Sequence, residues 1–369
     1  MTDGQLLFAV FAALYLIECL RWIPTHSWIC VGRRAGRWAF RHPSKNFSAR
    51  GTGGVLLAPL PPFHAHFVAM PWLFVPEGEH LGVRDDGQAM TRIAWENVKP
   101  RAEGSCVILS GMTVVRMPSE SLAAEWSDRL REWVALSVAE KEQSFLDHAA
   151  KTLDADAVEK TAARLTERTR ALHVNASLIL VWTFGVVSGV YGWWGETAIL
   201  WIALLVLLGL QIAQATLFWR ATRDAEADAR VPYRFWKALS IALMPQHSVR
   251  AADHVCRAAG SAPHPLAARL LLDLPDFMTK ARSFWRAARF HNDWQATNAL
   301  PLEAVALERF FQANDIDIST LEEVPARDYG SGSYCPRCLA QFQLASGECS
   351  DCGGVELRAF PPIHSAPID

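Results

Sequence analysis

VNASLILVWTFGVVSGVYGWWGETAILWIALLVLLGLQIAQATLFW, residues 174–219, is the stretch that decides the class of this chain. It holds two apolar runs, Val174–Trp194 and Thr197–Trp219, joined through Tyr191-Gly192-Trp193-Trp194-Gly195-Glu196. Each run has roughly the 20 residues that a bilayer core demands. Trp193, Trp194 and Trp219 stand at the ends, where interfacial anchors belong. The reading is a transmembrane helical hairpin. Gly185 and Gly189 make a G-x-x-x-G, and Ser188 and Gly192 repeat that spacing, so close helix approach is expected here. Gln211 and Gln214 share one face of the second run, and polar side chains in a span seek a partner helix.

Working outward, residues 6–23 read as a further span, apolar except for Tyr15, Glu18 and Arg21. The start Met-Thr-Asp-Gly lacks the basic residues of a signal peptide, so an uncleaved anchor over 1–23 is expected. Residues 21–50 carry Arg21, Arg33, Arg34, Arg37, Arg41, Lys45 and Arg50 and no Asp or Glu. Arg164, Arg168 and Arg170 precede the hairpin, and Arg220 and Arg223 follow it. All these basic flanks fall on one side. The positive-inside rule then puts the N-terminus and residues 191–196 outside, and residues 24–173 and 220–369 in the cytoplasm. The expected location is an inner membrane of bacterial type. The basic segment 24–50 sets topology. Arg33, Arg34 and Arg37 are also candidates to hold anionic lipid headgroups.

Residues 51–138 read as β with a closing helix. Asp86-Gly87 separates His80–Arg84 from Met90–Trp95, and Ser110-Gly111 separates Ser105–Leu109 from Met112–Met117. Pro118 and Ser119 open a helix whose Trp126, Leu130 and Trp133 fall on one stripe. Hairpins followed by such a helix resemble a small PH-like or GRAM-like barrel. That resemblance implies a binding module for lipid headgroups or proteins. Residues 139–173 continue as a helical connector, with Asp154 or Asp156 placed to break or cap it. Residues 220–318 read as an all-α cytoplasmic domain, in which Phe235, Leu239, Ile241 and Leu243 form one stripe. Residues 319–333, with Pro325, Gly330 and Gly332, read as a linker.

Near the end stand Cys335-Pro336-Arg337-Cys338 and Cys349-Ser350-Asp351-Cys352, two C-x-x-C pairs ten residues apart. Each pair turns two thiolates toward one point, and two such turns give the S₄ cage that zinc prefers. Gly353 and Gly354 follow, where a tight turn needs glycine. Residues 334–360 resemble a zinc ribbon, which implies one structural zinc. Arg337 and Arg358 face Glu348, Asp351 and Glu356 in that segment, so it lacks the basic patch of a nucleic-acid binder. The other cysteines, Cys19, Cys30, Cys106 and Cys256, are scattered like reduced thiols. The formal net charge of −2 over 369 residues adds no pull toward nucleic acid.

His64-Ala65-His66 is the spacing of two metal ligands on one strand face, but Pro61-Pro62 argues against a regular strand and no third ligand is identifiable. Asp253, His254 and Cys256 diverge around one helix and make no dyad. The expected fold class is therefore an α+β multi-domain membrane protein with three spans, a PH-like barrel, an all-α domain and a C-terminal ribbon. The expected role is a membrane-anchored scaffold or assembly factor whose partners are membrane lipid and other proteins. The alternatives are an enzyme with a pocket between the β and α domains, its small-molecule substrate unknown, and a nucleic-acid tether through the ribbon.

Overall fold

A computed structural model describes residues 3–23, 28–33, 36–41, 54–57, 64–84, 91–111, 113–117, 120–187, 189, 197–223, 231–258, 262–271, 277–290, 300–352 and 354–361. The helices are α1 Asp3–Cys19, α2 Glu120–Ala135, α3 Val138–Leu153, α4 Ala155–Val181, α5 Thr197–Arg223, α6 Val231–Leu243, α7 Pro245–Ser248, α8 Ala251–Ala258, α9 Pro265–Leu271, α10 Phe277–Arg289 and α11 Leu302–Ala313. The fold is mixed α and β. Two compact units divide it. The first comprises Met1–Pro71, Asn97–Ala135 and Ala155–Leu272, and the second Trp72–Glu96, Leu136–Asp154 and Asp273–Asp369.

In the first unit α4 runs on into a π-helical turn, Trp182–Val187, and pairs with α5. These two helices, Ala155–Val187 and Leu200–Arg223, are long and apolar enough to cross a membrane. They run antiparallel. Asn175 Nδ2 donates to Leu210 O at 2.9 Å and to Gln214 Oε1 at 2.8 Å, and Trp182 Nε1 donates to Ala203 O at 2.8 Å. Ala176, Ile179, Val187, Ala203 and Leu207 form the packed seam. Gln214 does find a partner helix, donating to Leu172 O of α4 at 3.0 Å. Close glycine packing is not seen among the described residues, where a Cβ added at Gly185 or Gly189 would meet nothing within 4 Å. Indole bulk from Trp182 occupies the seam instead. The turn 191–196 lies outside the described residues.

The expected first span, 6–23, is helical only to Cys19. Leu20–Ile23 leaves the helix as strand β1 and pairs antiparallel with β4, Gly54–Leu57. At 17 residues α1 is shorter than the other two long apolar helices. Phe8 of α1 meets Phe184 edge-on, with ring centroids 5.5 Å apart. The described parts of the basic segment are strand. Strands β2 Trp28–Arg33 and β3 Gly36–Arg41 form a hairpin that β5, His64–Ala69, extends into a three-stranded sheet. Residues 64–69 are thus a strand despite the preceding prolines. A register shift between Cys30 and Val31 leaves His64 paired with Gly32 and Ala65 with Val31. A bulge of this kind absorbs one extra residue and breaks the two-residue periodicity.

The strands expected over 51–117 fall in separate sheets among the described residues. In the first unit β9 Arg101–Glu103, β10 Cys106–Leu109 and β11 Thr113–Arg116 form one sheet. Ser110 and Gly111 have φ of 53° and 76°, as a tight hairpin turn requires. Trp126, Leu130 and Trp133 of α2 are all buried in this unit.

In the second unit β6 Phe74–Glu77, β7 His80–Val83 and β8 Thr91–Ala94 form another three-stranded sheet. Its core neighbour is α3, whose Phe145 meets Trp72 edge-on at 5.5 Å. Ser137 and Glu140 close a capping box at the start of α3, satisfying two orphan backbone donors. Asp154 is the C-cap that separates α3 from the long helix after it. Arg286 of α10 donates to Leu321 O at 2.9 Å and Glu323 O at 2.6 Å, and Trp285 Nε1 to Glu322 Oε1 at 2.9 Å. Residues 320–323, expected as linker, are therefore fastened to α10, and Leu321 is fully buried. Three backbone carbonyls that would otherwise face water are satisfied by arginine side chains, those of Thr320, Leu321 and Glu323.

Candidate metal centre

Six short strand and helical pieces build the cysteine site. β12 Ser333–Tyr334 lies between β13 Gln341–Phe342 and β16 Arg358–Ala359, and β14 Glu348–Cys349 pairs with β15 Val355–Glu356. Ser350–Cys352 forms one 3₁₀ turn. Cys335 N–H donates to Ala340 O and Leu339 N–H to Cys335 O, both at 2.9 Å, which closes the first C-x-x-C knuckle. Gly354 N–H donates to Cys349 O at 3.1 Å and closes the second. Gly354 has φ +93°, whereas the residue just past the first pair, Leu339, takes φ +66° without glycine's freedom. Gly353 lies outside the described residues. Gly332 is required for another reason. A Cβ there would sit 2.7 Å from Gln343 O, in the path of the chain returning from β13.

The four Sγ atoms of Cys335, Cys338, Cys349 and Cys352 all lie within 4.8 Å of one another. Cys338 and Cys349 stand 3.7 Å apart, far beyond a disulfide bond. A tetrahedron with about 2.3 Å arms has edges of about 3.8 Å, so this pair already has the spacing of a zinc–thiolate cage. The donor set fits a metal ion. Cys335 and Cys349 are fully buried, Cys352 is partly covered and Cys338 is exposed.

Electrostatics at the site agree with a cation-binding set. Burial pushes the Cys335 thiol up to about 11. Burial, then the neighbouring Cys338, also raises Cys352. For Cys349 burial acts upward too, but the backbone N–H of Cys352 and the thiols of Cys338 and Cys335 outweigh it and leave it lowered. Crowded thiols resist ionising together, and a bound divalent cation reverses that preference. Binding at such a site releases protons.

Support comes from residues the cysteine spacing does not reveal. Val355, Leu357, Phe342 and Phe290 pack around Cys335 and Cys349. The Arg358 guanidinium lies over the Phe290 ring at 4.6 Å, and Tyr334 packs on Phe360 at 5.0 Å. Arg337 donates to Cys352 O at 3.5 Å. The ribbon thus rests on the end of α10. An aromatic residue at the last turn of a helix is too common a signal to have found this contact.

The second unit also buries Glu303 of α11 against Arg84. Burial raises the Glu303 carboxyl above its usual range, Arg84 and Arg337 oppose that, and Glu77 adds to it. Of the candidate lipid ligands, Arg33 ends β2 opposite Gly36, and Arg37 in β3 pairs with Gly32. Arg34 lies outside the described residues. Searches of family models, curated proteins and solved structures found nothing that matches this chain.

Proposed function

We propose that the chain is a membrane-anchored scaffold or assembly factor, held by three spans, that presents a structural zinc ribbon to protein partners on the cytoplasmic face. The observation that carries this reading is the four-thiolate set. Four protein ligands complete zinc's tetrahedron and leave no position for a catalytic water, so the metal's role is to hold a folded knob. The exposed apolar side chains of the two long helices support the anchor. Trp201, Ile202 and Leu205 of α5 are each more than half exposed, as are Val174, Leu178 and Val181 of α4. In this reading α1 is the third span. Its 17 residues cover about 25 Å at the helical rise, close to a bilayer core. The β2–β3 hairpin, with Arg33 and Arg37 in its strands, then lies beside anionic headgroups, with Arg34 of the same basic run a further candidate.

The test is purification of the full chain from membranes in mild detergent, with zinc analysis and identification of co-purifying proteins. One zinc per chain and a stoichiometric partner lost on Cys349→Ser support the scaffold. A partner set indifferent to that substitution removes the ribbon from the role. Labelling of Leu344→Cys, an exposed position in the ribbon, from outside intact cells overturns the topology.

A further inference from the structure

Helix α6 does not behave as part of a water-soluble domain. The sequence pattern expects Phe235, Leu239, Ile241 and Leu243 to share one buried stripe. Instead Ile241 is fully buried, while Phe235, Trp236, Leu243 and Met244 are 53, 65, 63 and 44% exposed. Phe235 and Trp236 form an edge-on aromatic pair, 5.7 Å between centroids, with more than half of each side chain exposed. A helix of 13 residues is too short to span a bilayer. Its apolar face is too exposed for a core helix.

Its partners show where it goes. Arg234, in the first turn, places its guanidinium 4.7 Å from the Trp219 ring and donates to Trp219 O. Trp219 stands near the end of α5, where an interfacial anchor is expected. From there α6 runs back along α5. Ile241 packs with Leu172 and Phe218. The chain then breaks at Met244-Pro245, and Val249 joins the seam of Ala176, Ile179, Ala203 and Leu207. Pro245, Gln246 and Val249 line a small cleft with Leu180, Thr183 and Phe184. Leu180 lies about 12 Å further along α4 than Leu172 at the helical rise. Helix α8 then returns, its Ala251, Ala252 and Val255 packing at the Leu172–Phe218 level again. The path goes in and comes back.

Backbone chemistry at the break meets the condition that hydrocarbon imposes. There a broken helix survives only if its freed polar groups are satisfied within the protein. Ser248 Oγ donates to Ile241 O and, at 3.3 Å, to Met244 O. Val249 N–H donates to Pro245 O at 3.1 Å. Gln214 Nε2, from the middle of α5, donates to Ser248 O at 2.9 Å. Residues 238–249 contain no Asp, Glu, Lys or Arg, and Arg250, the first charge after them, is wholly enclosed by protein. Enclosure is how a charge is tolerated at membrane depth.

We infer that residues 231–258 form a re-entrant helical hairpin, dipping into the bilayer beside α4 and α5 and meeting lipid acyl chains through Phe235, Trp236, Leu243 and Met244. The inference rests on the membrane reading of α4 and α5. It moves these residues out of the cytoplasmic domain expected from sequence. Helix α6 packs along α5, and both helices leave large apolar side chains exposed. Acyl chain is the one occupant that covers both.

Photo-crosslinking of the full chain in its native membrane tests this. Benzoylphenylalanine is placed singly at Trp236, Leu243, Trp201 and Leu344, each an exposed position. The probe at Trp201 reports the long helices, and the probe at exposed Leu344 in the ribbon is the aqueous control. The expected result is a phospholipid adduct at Leu243 and Trp236 as abundant as at Trp201, with none at Leu344. Lipid adducts at Trp201 with none at Leu243 and Trp236 overturn the re-entrant hairpin and leave the anchor standing. Protein adducts at Leu243 and Trp236 do the same, by naming a protein occupant. No lipid adduct at any position overturns the anchor and the hairpin together. Membrane retention of each variant confirms that it has folded.

Discussion

Helices α4–α6 of the first unit and the helices of the second put their large apolar side chains to opposite use. In the first, α4, α5 and α6 turn Val174, Leu178, Trp201, Leu205, Trp236 and Leu243 outward, and bury polar Asn175, Gln211 and Gln214. In the second, α11 buries Leu307, Phe310 and Phe311, and α3 buries Phe145, while Gln143 and Arg309 stay at the surface. Water accounts for the second arrangement, since apolar area removed from it gains about 25 cal/mol per Å². The first arrangement is the one the proposed membrane anchor calls for, because in hydrocarbon exposed leucine costs nothing and unpaired amides cost a great deal. Long-range organisation differs accordingly. Helices of the first unit add amide hydrogen bonds to their packed seam, whereas the ribbon gathers four thiols within a small apolar cluster.

That contrast breaks most visibly if the sulfur is removed. Cys349→Ser takes away a fully buried ligand. Apparent zinc-binding free energies at such sites are about 10–16 kcal/mol at neutral pH, and that energy is folding energy for a segment this short. The expected outcome is loss of the zinc and rapid amide exchange over 333–360, with the exchange of α4 and α5 unchanged. Exchange loss spreading through the first unit would show that the two regions are not independent in the way their solvents imply.

What the sequence makes legible follows the same divide between local and distant determinants. The cysteine cage is legible because each C-x-x-C knuckle is complete within a few residues. The stripe of Trp126, Leu130 and Trp133 is legible because helical spacing alone sets it. The end of α1 at Cys19 is not, because the pairing that converts Leu20–Ile23 to strand comes from Gly54–Leu57. Nor is the fastening of 320–323, since the donors Arg282, Trp285 and Arg286 sit on α10. Pro245 signals a break in the helix. That the break lies beside Leu180 and Phe184 depends on how three helices pack, which no local pattern encodes.

A second way to press the comparison is the buried ion pair of the second unit. Arg84→Ala leaves Glu303 enclosed without its counter-charge, at a cost of about 3 kcal/mol at neutral pH. The sign of its pH dependence follows from burial. Glu303 has a folded-state pKa above the unfolded value, so the folded chain binds more protons between the two, and stability falls as pH rises through that window. Arg84 opposes this shift, so removing it widens the window. The destabilisation of Arg84→Ala relative to wild type should therefore shrink as pH is lowered toward the ordinary carboxylate range. Thermal unfolding of both proteins at each pH gives that difference directly. A deficit that does not change on acidification would mean that other groups hold Glu303 ionised in both proteins. Glu303→Gln should show no such trend.

The smallest expected effect separates two glutamines three residues apart in α5. Gln214 is fully buried and fully used: its amide donates to Leu172 O at 3.0 Å and to Ser248 O at 2.9 Å, and accepts from Asn175. Gln211 is also buried, yet its Nε2 has no hydrogen-bond partner among the described residues. In water-soluble cores both would be costly to replace by leucine through altered packing. In a membrane the difference rests on partners, and interhelical hydrogen bonds there are worth about 0.6 kcal/mol on average and up to about 1.7. Gln214→Leu withdraws donors from two carbonyls and should destabilise the helix association by about 1 kcal/mol. Gln211→Leu removes an unsatisfied amide and should be neutral or stabilising. Unfolding in mixed detergent micelles, read by α4–α5 separation, gives both values. Equal losses for the two substitutions would mean that side-chain shape, not hydrogen bonding, holds these helices together, and the proposed contrast between the units would lose its physical basis.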